Sequence, residues 1–194
     1  AIMSGWSGAG AFSDGKLSLS PDVGGNIKKY MSEDEAQGLI NYADSIYTGF
    51  GAPQTVHGMG DPKVAEIAYE CSKHNIQLIR CPVRHMGTEH AFEVLGAMYD
   101  ALSKNCNFEF RELTTATEVL VRDGRAAGVR LESRSGVEEV FAPYVIAAPG
   151  RGGAAWLTGV AQELGLELMN NEVDIGVRVE CRNEVMEKVN KVLY

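Results

Sequence analysis

The sequence predicts a mixed α/β fold, and two patterns carry that prediction. Between residues 32 and 104, apolar residues recur every three or four positions, which is typical of amphipathic helices. Between residues 107 and 148, short runs of alternating apolar and polar residues are separated by tight polar turns, as in an antiparallel meander. Helices followed by a meander and then by mixed elements indicate an α/β architecture with an antiparallel excursion.

The helical part begins with two well-marked helix starts. Ser32 and Glu35 have the spacing of a capping box, so a helix is predicted from there to about residue 47. Asp61-Pro62 marks a second start, because proline suits the first helical position, and this helix should end near residue 74. The residues expected to face the core are Leu39, Ile40, Ala43 and Ile46 in the first helix and Val64, Ile67, Ala68 and Cys71 in the second.

A short strand and a third helix follow. Residues 76–80 are β-branched at two positions and are predicted as a strand, whereas residues 81–87 are predicted as a loop. Thr88 is a suitable N-cap for a helix over residues 89–104. The expected buried face of that helix consists of Phe92, Leu95, Gly96, Met98, Tyr99 and Leu102.

The meander and the elements after it complete the chain. The predicted strands are residues 107–113, 115–121, 126–131, 137–141 and 144–148, with turns at Asp123-Gly124 and Ser135-Gly136. Residues 144–148 have no polar face, so we expect this strand to be buried on both sides, as in a parallel sheet. The elements predicted next are a helix that ends at Gly165, a strand at residues 174–180 and a helix at residues 183–191.

The charge and the cysteines restrict the functions to consider. The chain of 194 residues carries a net charge of −8 without a basic patch, which argues against binding to nucleic acid or to an anionic membrane surface. No apolar run approaches the roughly twenty residues that span a bilayer. The cysteines form no C-x-x-C pair and the histidines lack metal-ligand spacing, so we expect no metal site and a cytoplasmic protein with reduced thiols. The cysteines are Cys71, Cys81, Cys106 and Cys181.

Residues 5–16, here called the glycine loop, are the most informative stretch. Glycine, alanine and serine surround a Trp, a Phe, an Asp and a Lys in this stretch. A glycine cluster indicates positive φ angles or a ligand that lies against bare backbone, and linkers rarely contain large aromatic residues. A phosphate-binding loop normally follows a strand. Because too few residues precede the loop for that strand, we expect the sequence to be an internal piece of a longer protein.

A second glycine cluster, residues 149–153, follows the apolar run at residues 145–148. A buried strand that ends in a glycine-rich turn before a helix is where α/β sheets bind anionic ligands, although an ordinary strand-to-helix turn has the same pattern. The cluster matches neither the P-loop pattern nor G-x-G-x-x-G. We expect the glycine loop and this second turn to meet around one long anionic cofactor.

The order of these elements resembles that of the FAD-dependent oxidoreductases with the two-domain plan of glutathione reductase. In that family a meander interrupts the FAD-binding sheet, and the chain re-enters the sheet through a strand that ends Ala-Thr-Gly. Here the corresponding motif is Ala148-Pro149-Gly150, with proline in place of the usual Thr. The glycine loop is similar to the Gly-Trp-Gly-Gly-Ala-Gly-Ala-Phe-Ser-Asp-Gly-Lys loop of a bacterial group of FAD-dependent dehydrogenases, with Ser7 at one Gly position. Residues 84–88 and 173–178 also resemble that group.

The resemblance implies a domain organisation. Residues 1–165 would form part of a FAD-binding Rossmann-like domain, with a helical segment at residues 32–75 and the meander at residues 107–148. Residues 166–194 would begin a substrate domain. The strand–G-x-G-x-x-G–helix–strand unit of the family would precede this chain, and most of the substrate domain would follow it.

The same resemblance implies a set of cofactor-binding residues. Those expected near the flavin ring or its ribityl-pyrophosphate chain are Ser7, Gly8, Ala9, Gly10, Ser13 and Asp14. Gly150 would let the backbone approach FAD, and the backbone of Ala116 would contact the adenine. The resemblance does not identify the catalytic residues.

FAD is therefore the cofactor expected for the full-length protein. The flavin would exchange hydride or electrons with an unknown small-molecule substrate, and NAD(P)H is a candidate electron donor. Because the main pyrophosphate cradle would lie outside this chain, we expect the chain alone to lack FAD and to be inactive. Surfaces that the missing parts would cover could make it self-associate.

Several side chains near the predicted site have two plausible roles each. Trp6 and Phe12 either anchor the loop to a core, which we favour, or stack on a flavin. Lys16 is either a flavin contact or a surface residue. His57 and His85 lie in predicted loops, where a structural hydrogen bond is favoured over a role as proton donor. Arg151 either pairs with a phosphate or substrate carboxylate or is solvated.

Two other functions remain open from the sequence. Residues 5–9 are one residue short of the G-x-S-x-G motif, so Ser7 could be the nucleophile of a serine hydrolase with a degenerate elbow. That motif requires a strand before the serine and a helix after it, and the sequence predicts neither. The third possibility is a non-catalytic interaction domain with the same fold.

Overall fold

The computed structural model describes residues 5–170, 173 and 175–193. Its contacts divide the chain into two compact units. The first unit consists of the described residues of Ala1–Asn105 and Val177–Tyr194, and the second of those of Cys106–Gly176. The predicted domains, 1–165 and 166–194, refer to the organisation of a longer protein and stay a prediction.

The described residues form five α-helices, and the sequence predicted each of them. They are α1 (Glu33–Gly49), α2 (Lys63–Lys73), α3 (Thr88–Ser103), α4 (Ala154–Glu163) and α5 (Asn183–Leu193). The capping box at the start of α1 is confirmed: the Glu35 backbone N–H donates to Ser32 Oγ, and the Ser32 N–H donates to Glu35 Oε2. Gly165, with φ +66°, follows the end of α4 as predicted.

The start of α3 differs from the prediction by one residue. Its N-cap is Gly87, with φ +77°, and Thr88 is the first residue of the helix. The difference has a steric cause, because the chain enters the helix through a left-handed turn that glycine adopts without strain and threonine does not.

The first unit contains a two-stranded antiparallel sheet that the sequence did not predict. Strand β1 (Lys16–Ser18) pairs with β2 (Val83–His85), so that Leu17 lies opposite Arg84. His57 extends this pairing through two backbone hydrogen bonds to Val83, of 2.7 and 3.0 Å. The strand lies at residues 83–85, within the predicted loop, and not at residues 76–80. Each strand has three residues, too few for a periodic pattern, and the partners are far apart in sequence.

The second unit contains the predicted meander, with fewer strands than expected. Strands β3 (Thr115–Arg122), β4 (Arg125–Ser133) and β5 (Gly136–Phe141) pair antiparallel in the order β3-β4-β5. Asp123 and Gly124 form the first turn with φ angles of +52° and +73°, as required for a two-residue hairpin loop. Residues 107–113 form no strand, because the chain turns at Leu113, with φ +52°, before the sheet begins.

Two predicted strands are not formed among the described residues. Residues 144–148 were expected to be buried, yet Tyr144 is 86% and Ile146 91% exposed. Residues 175–180 also form no strand, and Asp174, the first residue of that prediction, lies outside the described residues. A strand needs a neighbouring strand to which its backbone can hydrogen-bond, and no strand in the described ranges pairs with either segment.

The α/β composition and the antiparallel meander are therefore confirmed, but the buried helix faces are smaller than predicted. Ala36, Ala91, Val94 and Leu95 are buried where α1 and α3 enter the core of the first unit. Several residues of the predicted stripes face outward instead. Examples are Leu39 and Ile46 of α1 and Phe92 of α3.

Candidate functional site

The glycine loop forms a tight turn with an open outer surface. Gly8–Phe12 is a 3₁₀ helix that Ser7 precedes in the left-handed conformation, with φ +55°. The Gly8 N–H donates to the Gly5 carbonyl and the Gly10 N–H to the Ser7 carbonyl, both at 3.0 Å. A Cβ atom built at Gly8 or Gly10 would meet no other atom within 4 Å. The loop therefore presents bare backbone to its surroundings.

Trp6 attaches this loop to helix α3. Its indole Nε1 donates a hydrogen bond of 2.8 Å to the backbone carbonyl of Leu95. Its ring also packs edge-on against Tyr99, with the ring centroids 5.7 Å apart. These contacts agree with the anchoring role favoured for Trp6, whereas Phe12 is 52% exposed and does not anchor the loop to a core.

The second half of the loop is held by Ser13 and Gly15. The Ser13 hydroxyl donates to the Gly10 carbonyl at 3.0 Å and accepts from the Gly15 N–H at 3.1 Å. Gly15 is buried with φ +68°, and a Cβ atom there would lie 2.9 Å from the Ala91 Cβ. Only glycine fits this position. Its close approach to α3 fixes the direction in which the chain enters β1.

Three charged or titratable side chains gather where the loop becomes β1. Lys16 Nζ lies 3.0 Å from Asp14 Oδ2, and Lys16 lies opposite His85 in the strand register. The hydrogen bond from Lys16 lowers the pKa of Asp14 against a smaller opposing effect of desolvation, and the charges of Lys16 and His85 lower it further. The loop thus ends in an exposed ammonium group that is paired with an ionised carboxylate.

Arg84, next to His85 in β2, links this end of the glycine loop to helix α1 and to the segment after it. Its Nε and Nη2 donate to the two carboxylate oxygens of Asp44 at 2.6 and 2.7 Å, and its Nη1 donates to the Pro53 carbonyl. Arg84 is 5% exposed, and the hydrogen bond to Asp44 raises its pKa. Sequence reasoning missed this pair, since Asp44 lies within an ordinary helical pattern and Arg84 was notable only through the resemblance.

Ser7, the hydrolase candidate, has a local hydrogen bond. Its hydroxyl donates to the carbonyl of its own neighbour Trp6 at 2.7 Å. The two described residues before it lie in a bend and a turn, whereas a nucleophile elbow has a strand there.

The other two predicted cofactor positions lie in the second unit. Gly150 has φ +64° and open space around a built Cβ atom, and it precedes the short 3₁₀ turn Arg151–Gly153 that leads into α4. At Gly153 a Cβ atom would collide with the Pro149 ring, so this glycine is required by packing. Ala116 lies in β3 opposite Leu131. Ser7, Gly8, Ala9, Gly10, Ser13 and Asp14 belong to the first unit, and the meeting of the two glycine turns stays a prediction.

The described residues also bear on metal, disulfide and membrane sites. No group of three or more His, Cys, Asp or Glu side chains among them could hold a metal ion. The four cysteines are free thiols. No described helix combines the length and the apolar character needed to cross a bilayer.

Comparison of the chain with protein-family models, with curated proteins and with solved structures finds no significant match to any of them.

Proposed function

We propose that this chain is the flavin-facing part of a FAD-dependent oxidoreductase, with the glycine loop against the cofactor. The observation that carries the proposal is the backbone conformation and the open surroundings of Gly10. Its φ is not in the left-handed region, and nothing within 4 Å would hinder a Cβ atom there. Neither backbone conformation nor packing within the described residues requires glycine at this position. A ligand that lies against the backbone of the glycine loop would account for it.

The contrast with Gly15 makes this argument specific. Glycine costs about 0.5–1 kcal/mol relative to alanine inside a helix, so its presence in the 3₁₀ turn calls for a reason. At Gly15 the reason is the contact with Ala91. At Gly10 the described residues supply none. Gly38 in α1 is equally open, so it is the place of Gly10 within the cluster of glycine, alanine and serine in the glycine loop that favours an external contact with a flat, extended group such as the flavin.

Lys16 and Asp14 fit the charge of that group. FAD, when bound, supplies hydride or electron transfer, while the protein binds, orients and tunes it. The Lys16 ammonium group would lie beside a flavin carbonyl or the N1 region and stabilise negative charge there. Asp14, held ionised by Lys16, would fix the direction of the lysine side chain. Trp6 would keep the loop rigid through its bond to α3.

The proposal also accounts for the unpaired apolar segment at residues 144–148. In the whole protein, residues 144–148 would pair within the parallel sheet of the Rossmann-like domain, which would cover side chains such as Ile146. Gly150 would then follow directly at the carboxyl end of this strand, where ligands of such sheets bind. A small-molecule substrate, NAD(P)H as donor and a cytoplasmic location complete the proposal.

The visible absorption spectrum of the full-length protein tests the cofactor. Oxidised flavin bands that bleach when NADH or NADPH is added would support both the cofactor and the donor. A folded, colourless full-length protein that takes up no added FAD would overturn the proposal.

Gly10→Leu tests the role of the loop, with Gly38→Leu as the matched control. Gly38 lies in α1, and there too a built Cβ atom meets nothing within 4 Å. In the full-length protein, we expect Gly10→Leu to weaken flavin binding by about tenfold or more, because the leucine side chain would occupy the flavin-facing surface. Gly38→Leu should leave flavin binding unchanged. Equal flavin binding by both variants would remove the glycine loop from the site.

A further inference from the structure

A groove of about 600 Å³ lies between helices α2 and α5 in the first unit. Its apolar lining comes from both helices and from the segment after α2. These lining residues are Ile67, Cys71, Ile76, Val189 and Val192. The groove uses none of the glycine-loop residues, and its volume is within the range of small-molecule sites.

The apolar lining follows from the spacing of the two helices. Ile67 and Cys71 are four residues apart on α2, and Val189 and Val192 are three apart on α5, so each pair lies on one helix face. The helices face each other without filling the space between them, and the apolar groove-lining side chains of α2 and α5 remain half-buried. Apolar surface is therefore available for an occupant.

The charges at the rim favour an anionic group. Lys63 of α2 and Lys188 of α5 line the groove from opposite helices, and neither forms an ion pair with another described residue. The other rim charges are largely compensated: Glu70 pairs with Lys73 at 2.6 Å, and Lys191 pairs with Glu187. The remaining rim residues are His74 and Glu66. Of the two acids that line the groove, Glu70 is paired and Glu66 forms no ion pair with another described residue.

We propose that this groove binds an amphipathic carboxylate, with an apolar chain of medium length and a single anionic end. The apolar chain of the ligand lies between Ile67 of α2 and the pair Val189 and Val192 of α5. Its carboxylate is within reach of Lys63 or Lys188 at the rim. This site is independent of the proposed flavin function, because it requires neither the glycine loop nor FAD.

Calorimetric titration of the unaltered chain with octanoate, decanoate and dodecanoate, below their micellar concentrations, tests the proposal. We expect saturable binding to one site, with affinity rising by up to about fourfold for each methylene until the groove is filled. Decanol should bind at least several-fold more weakly than decanoate. Absence of binding by all three acids to the folded chain would overturn the proposal.

Variants locate the site. Lys63→Gln combined with Lys188→Gln should weaken decanoate binding by about tenfold, whereas Lys104→Gln, outside the groove, should not change it. Val192→Trp should block binding by filling the groove, and its far-ultraviolet circular dichroism should match that of the unaltered chain. Equal binding by the double-lysine variant and the Lys104 variant would overturn the anion assignment. A dimer that Val192→Trp abolishes, with no decanoate binding, would assign the groove to a second copy and overturn the proposal.

Discussion

Arg84 and Asp44 form a two-pronged ion pair between strand β2 and helix α1, with both hydrogen bonds shorter than 2.8 Å. The guanidinium is almost completely buried and also donates to the carbonyl of Pro53, in the loop after α1. One side chain therefore joins three segments of the first unit. Because β2 also holds His85 opposite Lys16, the pair fixes the corner at which the glycine loop ends.

Removing one partner of this pair should destabilise the first unit strongly. Asp44→Asn leaves the buried guanidinium without its counter-charge, and breaking a buried pair in this way costs about 3–5 kcal/mol. Urea unfolding followed by circular dichroism measures the loss in the free energy of unfolding. Glu70→Gln, which removes an exposed ion pair with Lys73, is the control and should change it by less than about 1 kcal/mol. Equal effects of the two substitutions would show that the Arg84 pair is not a structural clamp.

Local sequence signals predicted the elements whose causes lie within a few residues. The capping box of Ser32 and Glu35 starts α1, and the Asp123-Gly124 pair makes the first turn of the meander. In each case the stabilising contact joins near neighbours in the chain. Such contacts can be inferred from spacing alone.

The elements that the sequence did not reveal depend on distant partners. Strand β2 depends on its pairing with β1, in which Leu17 lies opposite Arg84. Arg84 is buried together with its ion-pair partner Asp44, which lies forty residues earlier in the sequence. Residues 144–148 show the converse case, since their apolar composition predicted a buried strand and no described strand pairs with them. At the candidate site, composition identified the glycine loop, but only the packing of Gly15 against Ala91 separates a structural glycine from an open one such as Gly10.

Gly15→Ala should destabilise the first unit, because the added Cβ atom meets Ala91 and the backbone must keep a φ of +68°. Left-handed strain and overpacking together predict a loss of about 2–4 kcal/mol in the free energy of unfolding. Gly38→Ala, in the middle of α1, should instead gain about 0.5–1 kcal/mol. Denaturant unfolding of both variants measures the two effects, and a neutral Gly15→Ala would contradict the close approach of the loop to α3.

The capping box of α1 predicts a dependence of stability on pH. Hydrogen bonds from Ser32 lower the pKa of Glu35 below its ordinary value of 4.5. Glu35 therefore contributes stability that is complete above the unfolded-state pKa and is lost as the pH falls through the lower folded-state value. The difference in unfolding free energy between the unaltered chain and Glu35→Ala should be constant near neutral pH and shrink below pH 4.5. A difference that grows with acidity would contradict this assignment.

Ser32→Ala tests the other half of the capping box. The substitution removes the oxygen that accepts the Glu35 N–H, which should cost about 1 kcal/mol at neutral pH. The loss should be smaller in a chain that already carries Glu35→Ala, because the two side chains act together. Unfolding curves of the two single variants and the double variant measure this coupling, and strictly additive losses would show that the side chains act independently.

The two tryptophans provide a matched pair for testing how the glycine loop is held. Trp6 Nε1 donates to the Leu95 carbonyl at 2.8 Å in the first unit, and Trp156 Nε1 donates to the Thr117 carbonyl at 3.0 Å in the second. Replacing either one by Phe keeps an aromatic ring and removes one hydrogen bond, worth about 0.5–1.5 kcal/mol. Because Trp6 anchors the loop, Trp6→Phe should speed protease cleavage within residues 5–12 several-fold, whereas Trp156→Phe should leave that rate unchanged. Equal cleavage rates in the two variants would show that the turn's own hydrogen bonds hold the loop, and the proposed rigid surface for the flavin would then not depend on α3.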